Sequence, residues 1–508
     1  MFSISYSAAL QGIKGSIVHV EADVSDGMPF FSMVGYLASE VKEAKERVRI
    51  AIKNQGFVLK PKRITINLSP ADLRKEGTVF DLPIAVAILA SFGYFPKEKL
   101  EHIVLIGELN LDGKISGVNG VLPIIYTAYE NGFRKCIVPS VNASEGAVLE
   151  GMEIIGVETL KETIEYLKGT KNIMPVITKN WTEMEDTNSM FDFKDVIGQE
   201  TLLRALEVGA AGKHNILMIG PPGAGKTMVA KRLPSILPSL SLEESIEISK
   251  IYSICGMLNK EKGLVTKRPF RSPHHTITST ALVGGGMTPK PGEVSLASGG
   301  VLFLDELPEF QKNTLEILRQ PLEEKEVHIS RINGNFCYPA DFMLLAAMNP
   351  CNCGFYPDRS RCNCSINQVK RYLSKISEPF LDRIDICSEV VSVPIERLQK
   401  ESEGESSKTI KARVERARVI QRERYKEIGI YFNSQLNSSQ VKKYCLLGKK
   451  EQEMMEQIFK KYKLSTRAYQ KILKVARTIA DLEGEEQIKT IHLSEAFFYR
   501  SVDKKYWG

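Results

Sequence analysis

Hydrophobic and polar positions along the first part of the chain follow two different periods. Short apolar runs such as "GSIVHVEADV" and "RITINLS" predict strands, whereas "SEVKEAKERVRIAIKNQG" carries apolar residues at helical spacing and closes on a glycine. A polar and weakly periodic stretch, "TKNWTEMEDTNSM", comes next. The pattern predicts an α/β domain over residues 1–168 and a linker over residues 169–190.

The rest of the chain divides into a second α/β unit and a helical end. From Phe191 onwards, apolar runs such as "NILMI" and "VLFL" predict buried strands. Later, "TIKARVERARVIQRERYKEIG" and "STRAYQKILKVARTIADLEG" carry apolar residues at helical spacing. We therefore expect an α/β core over residues 191–394 and a helical domain over residues 395–508.

Composition narrows the class of protein. No run of about 18 apolar residues occurs, so no membrane span is expected, and the N-terminal residues do not resemble a secretory signal. The nine cysteines are an odd number and include two Cys-x-Cys pairs, which favours a reducing compartment and metal ligation over disulfides. A cytoplasmic location is the prediction.

Charge is concentrated at the C-terminal end. Residues 401–508 hold 23 Lys and Arg against 15 Asp and Glu, whereas the whole chain carries a net charge of only +7. Such a basic region is typical of proteins that bind a polyanion such as nucleic acid. A solvated helical face would explain the same charge equally well.

The clearest motif is "GPPGAGKT", which follows the apolar run "NILMI" and fits the phosphate-binding pattern G-x-x-x-x-G-K-[ST]. In this pattern backbone N–H groups surround a phosphate, the lysine adds a positive charge and the threonine hydroxyl binds Mg²⁺. The motif predicts binding of ATP or GTP by these residues: Gly220, Pro221, Pro222, Gly223, Ala224, Gly225, Lys226 and Thr227.

A second motif, "GGVLFLDEL", places two acids directly after a predicted buried strand. Asp305 would hold Mg²⁺ and Glu306 would polarise the attacking water, which makes nucleotide hydrolysis the better prediction. A third strand, "FMLLAAMNP", ends at Asn349, whose amide would orient water near the γ-phosphate. The alternative for Asn349 is a turn before Pro350.

Two arginines are candidates for contact with phosphate. Arg383 in "SEPFLDRIDI" is suited to reach a nucleotide on another subunit, but it could instead pair with Asp382 or Asp385. Arg467 in "LSTRAY" begins a predicted helix, where it could sense the nucleotide state or be an ordinary surface residue.

A cysteine cluster, "CNCGFYPDRSRCNC", follows the third strand. Four thiolates could hold one structural Zn²⁺ and stiffen the segment that leads to Arg383; four ordinary thiols are the alternative. The ligands would be Cys351, Cys353, Cys362 and Cys364. The remaining cysteines are interpreted as apolar filling: Cys136, Cys255, Cys337, Cys387 and Cys445.

These motifs, in this order, resemble those of a AAA+ ATPase. "RPFRSPHHTITSTALVGGG" and "PKPGEVSLASGGVLFLDELPEF" resemble the magnesium-chelatase branch, and "KRITINLSPADLRKEGTVFDLPIA" resembles a Lon-protease-like domain. The combination is similar to the ComM/YifB family over essentially the full chain. The resemblance implies an ATP- and Mg²⁺-dependent homo-hexameric motor that drives branch migration of DNA during natural transformation, with a C-terminal helical lid.

The resemblance also implies a lost activity. Lon-type proteases use a Ser–Lys pair, whose two positions align with Val79 and Leu122 here, and neither side chain can do that chemistry. The N-terminal domain is therefore expected to be an inactive protease fold, used either for packing in the hexamer or for DNA contact.

Three functions remain open from the sequence: a DNA translocase, a chelatase-type remodeller of a protein partner, and a protein unfoldase. For the translocase we expect residues 270–292 and a hairpin turning at Asn333–Gly334 to line the pore, with Arg331 touching phosphate. The adjacent His274 and His275 are expected to lie in an insert loop near the pore. Neighbouring histidines on a regular element rarely ligate one metal together, and no catalytic role is assigned to them.

Overall fold

The computed structural model describes residues 1–177, 191–259, 261–331, 334–393 and 404–507 of the chain. Most of the predicted linker and the turn residue Asn333 lie outside these ranges. Within them, no helix has both the length and the apolar character needed to cross a membrane.

The N-terminal domain is a mixed sheet covered by helices. Its strands are β1 (Phe2–Gln11), β2 (Lys14–Ser25), β3 (Phe30–Val34), β4 (Arg63–Ser69), β5 (Ile103–Leu105), β8 (Lys135–Pro139) and β9 (Glu153–Val157), and a short hairpin joins β6 (Glu108–Leu109) to β7 (Ile115–Ser116). The seven strands have the order β3-β4-β2-β1-β5-β8-β9, so β3 is an edge strand.

Five helices accompany this sheet: α1 (Ser39–Asn54), α2 (Asp81–Ser91), α3 (Val121–Glu130), α4 (Ala143–Gly146) and α5 (Leu160–Lys168). Every residue of α2 is buried, because its sequence, "DLPIAVAILAS", is apolar on all sides except at Asp81 and Ser91. The helix predicted to close on a glycine is α1, and Gly56 just beyond it has a positive φ of 81°.

The central domain is built on a parallel sheet. Its strands are β10 (Ile216–Ile219), β11 (Phe270–Arg271), β14 (Val301–Leu304), β17 (Met343–Met348) and β18 (Ile386–Glu389), in the order β11-β14-β17-β10-β18. The apolar runs form strands because both faces of the sheet are covered, which is typical of parallel sheets.

The helices of this domain are α6 (Glu200–Gly212), α7 (Lys226–Ala230), α8 (Leu242–Ile254), α9 (Ser279–Val283), α10 (Glu293–Leu296), α11 (Lys312–Ile317), α12 (Arg319–Glu324), α13 (Ile366–Leu373) and α14 (Glu378–Leu381). Two hairpins project from it: β12 (Gly284–Gly285) with β13 (Lys290–Pro291), and β15 (Glu326–Arg331) with β16 (Gly334–Pro339). The second is the predicted hairpin, with Arg331 and Gly334 as register partners.

The C-terminal region is helical, as predicted. It contains α15 (Ser407–Tyr425), α16 (Ser438–Tyr444), α17 (Lys449–Tyr462), α18 (Thr466–Leu482) and α19 (Thr490–Trp507). Residues from α15, α18 and α19 share one hydrophobic core with α6 and the central sheet. The helical end is therefore packed onto the α/β core over an apolar surface.

The N-terminal domain is docked on α8 of the central domain. Ser253 is the centre of this contact, because its hydroxyl donates to the Glu145 carboxylate at 2.6 Å and accepts from the Leu122 amide at 3.3 Å. The Gly120 amide donates to the Ser253 carbonyl at 3.0 Å, and Leu264 belongs to the N-terminal hydrophobic core. One core thus extends across the domain boundary.

Candidate active site

The loop from Gly220 to Thr227 connects the carboxyl end of β10 to the first residues of α7. Gly225 has a φ of 88°, a conformation that side chains with a Cβ rarely adopt, and Gly223 has a φ of 76°. These two positive φ values turn the backbone so that consecutive N–H groups can point toward one anion. The predicted phosphate-binding residues therefore form one continuous loop at the end of a buried strand.

Lys226 is held over this loop by three oxygens. Its Nζ donates to the carbonyls of Gly220 and Pro221 at 2.8 Å each and to Oδ1 of Asn349 at 3.0 Å. Burial lowers the pKa of Lys226, and the charge of Asp305 opposes this effect. Asn349 thus lies beside the phosphate loop, at the carboxyl end of β17, although a turn also begins at this point.

Asp305 follows β14 and reaches the same loop. The Thr227 hydroxyl donates to Oδ2 of Asp305 at 2.5 Å. A hydroxyl and a carboxylate in contact offer oxygen ligands of the kind that Mg²⁺ prefers. These two residues would hold Mg²⁺, and the metal would supply neutralisation of the charge that develops during hydrolysis.

Glu306 has an unusual backbone and an unexpected neighbour. Its φ is 51°, and its largely exposed carboxylate lies 3.3 Å from Nδ1 of His275. The rings of His274 and His275 are only 4.0 Å apart between centroids. As the sequence predicted, both histidines lie in a loop rather than on a regular strand or helix. No sequence pattern identified the contact of His275 with Glu306.

Arg383 lies near the amino ends of the parallel strands, whereas the phosphate loop lies at their carboxyl ends. Its carbonyl accepts from the side-chain amide of Asn215, the residue that precedes β10, whereas the phosphate loop follows β10. The four-residue strand between them spans roughly 13 Å. The guanidinium is largely buried and pairs with Glu323, not with Asp382 or Asp385 as the alternative interpretation proposed.

Arg467 lies near the amino ends of the parallel strands, as Arg383 does. It is the second residue of α18, its side chain is 67% exposed, and its guanidinium lies 3.8 Å from the Asp382 carboxylate. Asp385 is largely buried nearby and pairs with Lys471 at 3.1 Å. Burial alone would raise the pKa of Asp385, but the charge of Lys471 and a hydrogen bond with His214 hold this pKa far below its usual range. Both candidate arginines therefore face away from the phosphate loop of their own chain.

The four clustered cysteines meet at one point. Their Sγ atoms all lie within 4.8 Å of one another, with 3.3 Å between Cys351 and Cys353 and 3.8 Å between Cys351 and Cys362. Ligands of a tetrahedral zinc with Zn–S bonds of about 2.3 Å would be roughly 3.8 Å apart. The donor set therefore fits one zinc, and Cys364 would complete the four sulfur ligands.

The cysteine loop packs against the phosphate loop. Gly354 has a φ of 86°, and a Cβ at this position would lie 2.3 Å from Cδ of Pro222. Only glycine allows this approach. The loop was expected to stiffen the segment before Arg383, and Cys351 and Cys362 share a hydrophobic core with Phe380 and Leu381 of that segment. The stiffening role stays a prediction. The loop also reaches Pro222 in the nucleotide site. This proximity could not be predicted from sequence spacing.

One cysteine differs from its sequence interpretation. Cys337 is not apolar filling: it is partly exposed, and its thiol donates to the Glu326 carboxylate at 3.1 Å. Burial and Glu326 together raise the pKa of Cys337 to about 11. His328 lies with them on the hairpin of β15 and β16, and the three ligand atoms are within 4.8 Å of one another.

The N-terminal domain offers no corresponding chemistry at the two aligned protease positions. Val79 is 9% exposed and Leu122 is fully buried, and both belong to the hydrophobic core. The Leu122 amide is bonded to Ser253 of the central domain. These two positions contribute packing and domain contact.

Comparison with protein families gives matches to three consecutive stretches of the chain. Residues 20–142 match a model described as subunit ChlI of magnesium chelatase. Residues 192–398 match magnesium chelatase, subunit ChlI, and residues 404–500 match the C-terminal part of that subunit. The boundaries of these matches follow the three structural regions.

Individual relatives extend this likeness to the full length. Competence protein ComM of Haemophilus influenzae is 43% identical, covering 98% of this chain and 97% of the relative. YifB of Salmonella typhimurium is also 43% identical, over 99% and 97% of the two chains. Lon protease 2 of Bacillus subtilis is 30% identical over 30% of this chain and 32% of its own length, so that likeness is partial.

Proposed function

Because the chain belongs to the family that contains ComM and YifB, we propose that it is an ATP-hydrolysing, homo-hexameric motor that moves along DNA in the cytoplasm and drives branch migration during natural transformation or recombination. The family is one of AAA+-type ATPases related to magnesium chelatase. The observation that carries the proposal is the meeting of Lys226, Asn349, Thr227 and Asp305 at the strand ends of one parallel sheet.

In this proposal each polar residue of the site has one task. Lys226 and the loop amides bind the phosphates, and Thr227 with Asp305 holds Mg²⁺. Glu306 polarises the attacking water once it leaves His275, and Asn349 orients that water at the γ-phosphate. The loop bearing the four cysteines supports the phosphate loop through Pro222, with zinc as a structural ion.

A neighbouring subunit completes the site. Arg383 and Arg467 lie near the amino ends of the parallel strands, and the length of β10 separates them from the phosphate loop of their own chain. A guanidinium in this position can act only on a nucleotide that faces it from another copy of the chain. This placement supports a ring in which each nucleotide lies between two subunits.

DNA is the proposed track for two reasons. A 43% identical relative bears the name competence protein, and the C-terminal residues 401–508 are strongly basic. The hairpin of β15 and β16 carries the exposed Arg331, which we propose touches phosphate in the pore together with residues 270–292.

The test is stimulation of ATP hydrolysis by purified full-length protein. We expect forked or single-stranded DNA to raise the hydrolysis rate several-fold, whereas an unfolded protein such as casein leaves it unchanged. The salt dependence of DNA affinity should be steep, since each neutralised phosphate contributes roughly 0.7 to 0.9 to the slope of log affinity against log salt. Stimulation by casein but not DNA would contradict the motor assignment.

A second candidate is a chelatase-type remodeller of a protein partner. The matching family models, whose descriptions name a magnesium chelatase subunit, favour it. In that case the basal ATPase would be present, yet DNA would neither bind with measurable affinity nor change the rate.

A further inference from the structure

The N-terminal domain carries a groove of about 900 Å³ at the edge of its sheet. Its walls are the edge strand β3, the C-terminal half of α1 and the loop over residues 56–62. None of the residues assigned to nucleotide hydrolysis lines it. The groove is therefore a separate surface, and it is called the β3 groove below.

The β3 groove is strongly basic. Five of its lining residues are basic and a single one, Glu46, is acidic; the basic residues are Lys45, Arg49, Lys53, Lys60 and Lys62. Arg49 pairs with Glu46 at 2.9 Å and Lys62 with Asp26 at 3.0 Å. Lys53 and Lys60 are exposed and form no ion pair with any described residue. The net positive charge is thus not neutralised by this part of the chain.

Exposed apolar side chains lie among the basic residues of the groove. Phe30 is 58% exposed and Val58 is 73% exposed, although both are large hydrophobic residues. The ammonium of Lys45 lies 5.8 Å from the ring centre of Phe30. Phe30 and Val58 therefore present apolar surface among the basic residues of the groove.

The backbone that presents this surface is fixed. The Tyr94 hydroxyl donates to the Val58 carbonyl at 2.9 Å and accepts from the Val58 amide at 2.8 Å. The ring of Phe57 packs edge-on against Tyr94, with 5.1 Å between centroids. The loop therefore holds Val58 outward rather than folding it into the core.

The two properties together select the ligand. Cores of protein interfaces are depleted in lysine, so a second protein fits this surface poorly. Duplex DNA offers phosphates to the lysines, but its bases are paired and stacked, so the exposed ring of Phe30 would have no base to stack on. Single-stranded DNA offers phosphates for the lysines and unstacked bases for the ring. We propose that the β3 groove binds single-stranded DNA, an inference that rests on the proposed DNA motor function.

The experiment measures fluorescence anisotropy of a labelled 20-nucleotide oligo-dT with the full-length protein. We expect Phe30→Ala to weaken binding about tenfold, since stacking on one aromatic side chain stabilises a bound base substantially. The double variant Lys53→Gln, Lys60→Gln should flatten the plot of log affinity against log salt by about 1.4, because it removes two phosphate contacts.

Lys97→Gln with Lys99→Gln is the matched control, because both lysines are exposed on the same domain outside the groove. It should leave affinity and salt slope unchanged, and DNA-free ATPase should be equal in all variants. If wild type binds DNA and the groove variants match it, the groove proposal is overturned while the motor proposal stands. If wild type binds no DNA, both fail. Loss of subunit assembly with unchanged DNA affinity would identify a protein interface instead.

Discussion

The two α/β domains of this chain place their polar residues differently. In the N-terminal domain the buried acid Asp81 is 1% exposed and is paired with Arg47 at 2.8 Å. In the central domain the acids Asp305 and Glu306 stand at the open end of a strand, and Glu306 is exposed. Asp81 stabilises the interior of its own domain, whereas Asp305 and Glu306 lie where a ligand can reach them.

This difference shows where chemistry can be located in a layered fold. The carboxyl ends of parallel strands lie at one side of the sheet, so residues that follow β10, β14 and β17 can come into contact. The N-terminal sheet is mixed, and the two positions aligned with a protease pair hold the apolar Val79 and Leu122. The predictions below test whether activity depends on the central sheet alone.

The largest effect is expected for Glu306→Gln. Loss of the water-polarising carboxylate should lower the ATP turnover rate by roughly 100-fold or more, while ATP affinity is kept. Steady-state hydrolysis and binding of a fluorescent ATP analogue measure the two quantities. Glu108→Gln, which alters an acid at a strand end of the N-terminal domain, is the control and should leave both unchanged.

Two buried lysines allow a similar contrast. Lys226→Ala removes charge-assisted contacts to phosphate, and a loss of ~3 kcal/mol corresponds to about 100-fold weaker ATP binding. Lys75 in the N-terminal domain is equally enclosed, and its ammonium is bonded to the Pro70 carbonyl. Lys75→Met should therefore bind ATP like wild type. Comparable affinity loss in both variants would refute the separation of the two domains.

Arg383 tests whether the central domain is complete in one chain. Arg383→Ala and Glu306→Gln should each be nearly inactive, but mixed rings contain interfaces in which both intact residues meet. We expect recovery of up to about a quarter of the wild-type rate in equal mixtures, measured as ATP hydrolysis. Rings shown to contain both subunits and yet inactive would place Arg383 outside the site.

A smaller effect is expected at the cysteine cluster. Cys362→Ser should release one zinc per chain and weaken ATP binding by a few-fold, because Gly354 and Pro222 would lose their fixed contact. Elemental analysis and nucleotide titration are the measurements, with Cys255→Ser as the control. Wild-type protein that contains no zinc, when never exposed to a chelator, would contradict the metal assignment.

The smallest effect concerns stability. Burial lowers the pKa of Lys75, with the charge of Asp72 opposing, so folding disfavours the protonated amine. The unfolded chain then binds more protons, and the free energy of unfolding should rise as pH increases toward the ordinary lysine pKa of about 10.4. Lys75→Met should lose this rise, as measured by denaturant unfolding between pH 7 and pH 10. Parallel curves would show that Lys75 does not contribute.

Sequence patterns predicted most of the fold and part of the site. The helices α1, α15 and α18 and the strand before the phosphate loop follow from local periodicity. The partner of Arg383, the contact of His275 with Glu306 and the packing of Gly354 on Pro222 do not. Each of these contacts joins segments that are distant along the chain, and the spacing of residue types in the sequence does not predict such contacts.

Ser253 links the two domains in a way that has a mechanical consequence. It bonds to Glu145 and to the amide of Leu122, and the hydrophobic core continues across the same contact through Leu264. A joint of this kind resists bending, since any hinge opened there would break hydrogen bonds and expose apolar surface. A rotation of the nucleotide-binding core would therefore carry the N-terminal domain with it, and the β3 groove would move through the same angle.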